Sequence, residues 1–95
     1  MPRLVWLITG CSSGLGQALA TEALSRGDAV IATARNVNSL SSLEARGATT
    51  MGLDVTSDQA TLNQIMHDAI AVHGRIDVLV NNAGYVVAGT LEETP

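Results

Sequence analysis

The sequence predicts an α/β protein built on a doubly wound parallel sheet. Three observations carry that prediction. Short, uninterrupted apolar runs recur along the chain, the pattern of strands buried on both faces. Stretches with helical spacing of apolar residues separate them. A glycine-rich segment joins the first run to the first helix. A β-α-β-α-β-α-β order with right-handed crossovers implies parallel strands in the order 3-2-1-4.

The elements follow in turn. Leu4-Val5-Trp6-Leu7-Ile8 reads as the first strand. Beyond the glycines, Leu15, Ala18, Leu19 and Ala23 recur as the apolar stripe of a helix, which Arg26-Gly27 ends. Ala29 to Ala34 is the second strand. A short helix covers Asn38 to Ala45 and stops at Arg46-Gly47; Thr49 to Leu53 is a weaker third strand. Thr56-x-x-Gln59 has the form of a capping box, so Thr56 is expected to start the next helix. Its stripe is Leu62, Ile65, Met66, Ala69 and Val72, and His73-Gly74 ends it. Ile76 to Val80 is the fourth strand. Tyr85 to Thr90 is expected to be loop. Leu91 to Pro95 reads as the approach to a further helix, with Thr94 as cap.

Composition removes several classes of function. The chain has 95 residues, a net charge of −4 and no lysine, which argues against a nucleic-acid surface. With one Cys there is no internal disulfide, and a reducing, cytoplasmic setting is expected. The early apolar run is too short to span a membrane, which takes about 20 residues. No spacing of His and Cys suggests a metal site.

The informative motif is Thr9-Gly10-Cys11-Ser12-Ser13-Gly14-Leu15-Gly16. Gly10 permits a sharp turn out of the strand. Gly14 lets backbone approach a pyrophosphate, and Gly16 lets the helix pack closely. The helix N-terminus then offers unpaired N–H groups to phosphate. A plain tight turn is the competing reading. A Walker loop is excluded because it requires Lys.

With Asp54-Val55 after the third strand and Asn81-Asn82-Ala83-Gly84 after the fourth, the whole chain resembles the N-terminal part of the short-chain dehydrogenase/reductase family, short single-domain branch. The resemblance implies that residues 1–95 are part of a single Rossmann-like dinucleotide-binding domain. It implies that Gly10, Ser12, Ser13 and Leu15 face the cofactor phosphates and adenosine ribose. Asp54 would accept from the adenine amino group, with the Val55 backbone beside it. Asn82, Ala83 and Gly84 would line the cofactor near its ribose, and Asn81 would tie neighbouring strands. Read without the family, Asp54 is equally a turn residue at a strand end.

Dinucleotide folds that select NAD place an acid after the second strand. Here Ala34-Arg35 stands there, and Arg35 can pair with a 2′-phosphate, so NADP(H) is expected over NAD(H). The resemblance also implies an alcohol or ketone substrate for the longer parent. It implies proton transfer by Tyr-x3-Lys, yet Gly89 follows Tyr85 at that spacing. No catalytic residue is therefore assigned, and this chain alone is expected to be inactive. The alternative is a non-catalytic nucleotide-binding or interaction module from a truncated gene product. Cys11 near a helix N-terminus is a weak candidate for redox chemistry. The fourth strand is expected to leave an unpaired edge through which the chain self-associates.

Overall fold

The structure is a computed structural model that describes residues 3–12, 14–54, 56–82 and 85–92. The apolar runs form the sheet as their composition requires. Strands β1 (Val5–Ile8), β2 (Ala29–Ala34), β3 (Thr49–Gly52) and β4 (Arg75–Asn81) lie parallel in the order β3-β2-β1-β4. Every residue of β2 is buried, as expected of a strand covered on both faces.

Alternate residues of the strands divide the core in two. Val30 and Ala32 of β2 pack with Ala20 and Ala23 of α1 (Gly14–Ser25) and Leu43 of α2 (Ser41–Ala45). Ala29 and Ile31 pack on the opposite face with Ala69 of α3 (Gln59–His73). Helices thus cover both faces, and the strand ends between them are left to build a site. A single turn of 3-10 helix (Val37–Leu40) precedes α2, so the helical segment expected over Asn38 to Ala45 is present, with its first turn wound more tightly. The three cation–glycine or histidine–glycine stops fall where expected. Gly74 adopts φ +84° and donates its N–H to the Ile70 carbonyl at 2.8 Å.

Three helix expectations need correction. Val72, placed on the stripe of α3, is exposed, and Ile70 packs on the core in its stead. The buried stripe of α1 is Gly16, Ala20 and Ala23, with Leu19 and Leu24 packed beside it. Ala23 and Leu19 fall there as expected, but Leu15 is 65% exposed and Ala18 is also exposed, and Gly16 and Ala20 take their places. Small residues admit the close approach, so hydrophobicity alone misplaces the face. The N-cap of α3 is Asp58, whose side chain accepts from the Thr61 N–H at 2.8 Å; Thr56 does not cap it.

The largest departure lies at the C-terminal side. Tyr85–Glu92 is a fifth strand, β5, antiparallel to β4, where loop and helix approach were expected. Asn81 pairs with Tyr85 and Ile76 with Leu91, with a register shift between Ile76 and Val78. The physical reason is local. β4 offers an unpaired edge, Tyr85-Val86-Val87 has strong strand propensity, and three residues suffice to join antiparallel neighbours. The edge of β4 expected to drive self-association is therefore covered. Residues 93–95, including the expected cap Thr94, lie outside the described residues.

The N-terminal ends of the strands are fastened by carboxylates. Asp28 accepts from the Leu4 N–H at 3.1 Å and from Trp6 Nε1 at 3.0 Å. Asp77 accepts from the Val5 N–H at 2.8 Å and from Arg75 Nε at 3.0 Å. Among the described residues, no helix is long and apolar enough to cross a membrane.

Candidate nucleotide-binding site

The β1–α1 loop and the tips of β2, β3 and β4 meet at the carboxyl ends of the parallel strands. Backbone bonds stitch the loop to both neighbours. Thr9 donates its N–H to the Val80 carbonyl at 3.0 Å, and Cys11 donates to the Thr33 carbonyl at 2.9 Å.

Each glycine of the loop has a different reason. Gly10 adopts φ +65°, and a Cβ on it would stand 3.0 Å from Asn82 Nδ2. A Cβ on Gly16 would run into the Gly10 carbonyl oxygen and stand 3.1 Å from the Thr9 oxygen. The first turn of α1 therefore rests on the backbone of the turn itself. Gly14 adopts φ +63° with no heavy atom within 4 Å of its Cβ position. Space is open beside Gly14, the first residue of α1, and the first N–H groups of a helix have no acceptor inside it. That is the geometry an anionic group needs. Ser12, Gly14 and Leu15 are exposed around it. The exposure of Leu15 removes it from the core and leaves it free for a ligand. Ser13 lies outside the described residues.

Cys11 is fully buried, and its Sγ donates to the Ile8 carbonyl at 3.1 Å. Burial pushes its thiol up to about 11, although a backbone hydrogen bond with Thr33 acts the other way. It is neither a thiolate nor accessible at neutral pH, which removes the redox reading.

Asn82, at the tip of β4, fastens the glycine loop. Its N–H donates to Thr9 Oγ1 at 3.1 Å and its Nδ2 to the Gly10 carbonyl at 3.2 Å. Asn82 thus makes a tie between β1 and β4; Asn81, the residue before it, is half-buried in the strand. Ala83, Gly84 and Val55 lie outside the described residues.

At the other side, Arg35 and Asp54 come together. Arg35 Nε stands 3.6 Å from Asp54 Oδ2, with the two side chains 74% and 41% exposed. Asp54 Oδ1 accepts from the Thr56 N–H at 2.9 Å and from Thr56 Oγ1 at 2.6 Å. These bonds from Thr56 hold the Asp54 carboxyl below its usual range, and Arg35 adds a smaller effect. Sequence reasoning named both residues and missed that they pair. The pairing follows from the parallel register: Ala34 lies opposite Gly52, and Leu53 donates to the Ala34 carbonyl at 2.9 Å, so the next residues of each strand are neighbours.

A hollow of about 370 Å³ opens beside these tips on the α3 side, between Thr9, Leu53 and Asn81 and the helix residues Asn63 and Met66. Among the described residues, no group of His, Cys, Asp or Glu could hold a metal ion. The arrangement can bind: N–H dipoles and an open helix terminus on one side, and an exposed guanidinium on the other.

The chain matches the family model for short chain dehydrogenases over residues 4–95. The protein Oxidoreductase BOA17 of Botryotinia fuckeliana is 41% identical over 92 residues, covering 94% of this chain and 34% of that one. The crystal structure of a short-chain dehydrogenase from Streptomyces avermitilis aligns with a TM-score of 0.82 and 46% identity, over 87% of this chain and 31% of that one. A metagenomic short-chain oxidoreductase in complex with NADP aligns with a TM-score of 0.76 and 39% identity, over 86% of this chain and 39% of that one. This chain spans about a third of the length of the curated relatives it matches. A glycine loop at the carboxyl end of a 3-2-1-4 parallel sheet and a match running from Leu4 to Pro95 agree: the chain belongs to the short-chain dehydrogenase family.

Proposed function

We propose that this chain is the NADP(H)-binding portion of an oxidoreductase acting on an alcohol or ketone group. The observation that carries the reading is the open N-terminus of α1 at the same sheet end as Arg35, with Ala34 where an NAD-selecting acid would stand. The NADP in a related crystal structure supports it.

In this reading Gly10, Ser12, Ser13, Gly14, Leu15 and Gly16 hold the phosphates, and Arg35 pairs with the 2′-phosphate. Asp54 and Val55 face the adenine, and Asn82, Ala83 and Gly84 border the ribose. When bound, the nicotinamide supplies the hydride acceptor or donor. These residues bind and orient it. With no lysine, the chain holds no Tyr-x3-Lys pair, so it is expected to bind without turnover.

Calorimetric titration with NADPH and NADH tests the reading. NADPH should bind more tightly, and Arg35→Ala should cost about tenfold in NADPH affinity, as for loss of one charge-assisted hydrogen bond. Equal or reversed affinities would count against the assignment.

A further inference from the structure

We propose that Asp54 tunes cofactor choice, its carboxylate competing with a 2′-phosphate for the Arg35 guanidinium. The inference rests on the nucleotide reading of this sheet end and names a residue that sets its specificity.

The argument starts from Thr56. The sequence makes it a helix cap, but Asp58 caps α3. Thr56 instead spends its N–H and hydroxyl on Asp54 Oδ1. One oxygen of the carboxylate is thereby held twice, and the group loses the freedom to swing aside. Its other oxygen faces Arg35 at 3.6 Å. Among the described residues, Asp54 is the acid paired with Arg35.

A 2′-phosphate approaching Arg35 therefore meets a guanidinium whose Nε already stands 3.6 Å from a carboxylate oxygen, and a held negative charge beside it. A ribose 2′-hydroxyl carries no charge and meets neither obstacle. The pair thus lowers the advantage that Ala34-Arg35 would otherwise confer on NADP(H). Because both side chains are exposed, the effect is modest and falls with salt.

The test uses the 95-residue chain at low ionic strength with two probes, adenosine 2′,5′-bisphosphate and 5′-AMP. Asp54→Asn should raise the ratio of bisphosphate to AMP affinity three- to tenfold, an order-of-magnitude expectation for a close like charge. Arg35→Ala should abolish the preference. In the Arg35→Ala background, adding Asp54→Asn should move the ratio little, which separates competition for Arg35 from a general field effect. Thr56→Val keeps the charge and the backbone bond but removes the hydroxyl's hold on the carboxylate; it should raise the ratio about twofold, as expected when one hydrogen bond that fixes a group is lost. Thr56→Ser should leave it unchanged. Should Asp54→Asn fail to fold, Thr56→Val with its Thr56→Ser control carries the test. A ratio unchanged in Asp54→Asn, with both probes weakened equally, overturns the inference and leaves the cofactor site standing. Failure of the unaltered chain to bind either probe overturns the proposed function along with it.

Discussion

The glycine loop and the tips of β2 and β3 stand at the same end of the sheet, yet they are built in opposite ways. The loop is anchored in the core, with Gly10, Ser12, Gly14 and Leu15 at its surface. Cys11 is fully buried, Thr9 is 8% exposed, and a missing Cβ at Gly16 is what lets α1 meet the turn. The tips are open, and Arg35 and Asp54 meet across 3.6 Å in contact with water. The difference teaches where change is tolerated. A residue altered in the loop disturbs packing, because interiors at native density have no room to yield. A residue altered at the tips disturbs charge alone, and water screens much of that. In the proposed reading, affinity for phosphate is thus bound up with the fold, and choice between cofactors is separable from it.

The most severe way to break this contrast is Gly16→Ala. In an ordinary helix the change would stabilise by nearly 1 kcal/mol. Here the new methyl meets the Gly10 carbonyl, and the turn cannot move without losing its bonds to β2 and β4. Destabilisation of about 2–4 kcal/mol is expected, with nucleotide binding lost. Urea denaturation measures it, and a variant as stable as the parent would mean that the loop is far looser than described.

A smaller effect comes from alkali. The Cys11 thiol ionises at about 11 in the folded chain against an ordinary 9.0. An acid whose folded value is raised contributes its full stability below the unfolded value and loses it as pH rises through the folded one. Stability should therefore hold up to about pH 9 and fall by roughly 3 kcal/mol by pH 11 and above. Denaturation midpoints across that range check it, and Cys11→Ala should flatten the decline. Iodoacetamide should not label the folded chain at neutral pH.

The least effect sharpens the other side. Arg35→Ala should move the melting midpoint by no more than about 2 °C, as for surface substitutions in general. A larger shift would mean that the exposed pair with Asp54 holds β2 and β3 together, and the separation of specificity from fold would fail.

Much of this was legible in the sequence for reasons that are local. A run such as Ala29 to Ala34 has no polar residue to face water except Thr33, so it must be covered on both sides. Glycines after a cation or histidine stop helices because only the left-handed region closes them, and Gly27, Gly47 and Gly74 all adopt it. The order β3-β2-β1-β4 then follows from handedness and short connections. Tertiary structure decided what depends on distance between elements. Whether Leu15 or Gly16 faces inward turns on how near the turn's backbone comes, which helical period cannot report. Thr56 fits a cap by spacing, but Asp54 competes for it and Asp58 stands one residue before the helix. Tyr85 to Glu92 is a strand because β4 lies beside it with an edge to fill, a partner that no window of eight residues contains. Arg35 and Asp54, 19 positions apart along the chain, became neighbours only when β2 and β3 took their register, and that pairing is what turns two separate charges into one ion pair.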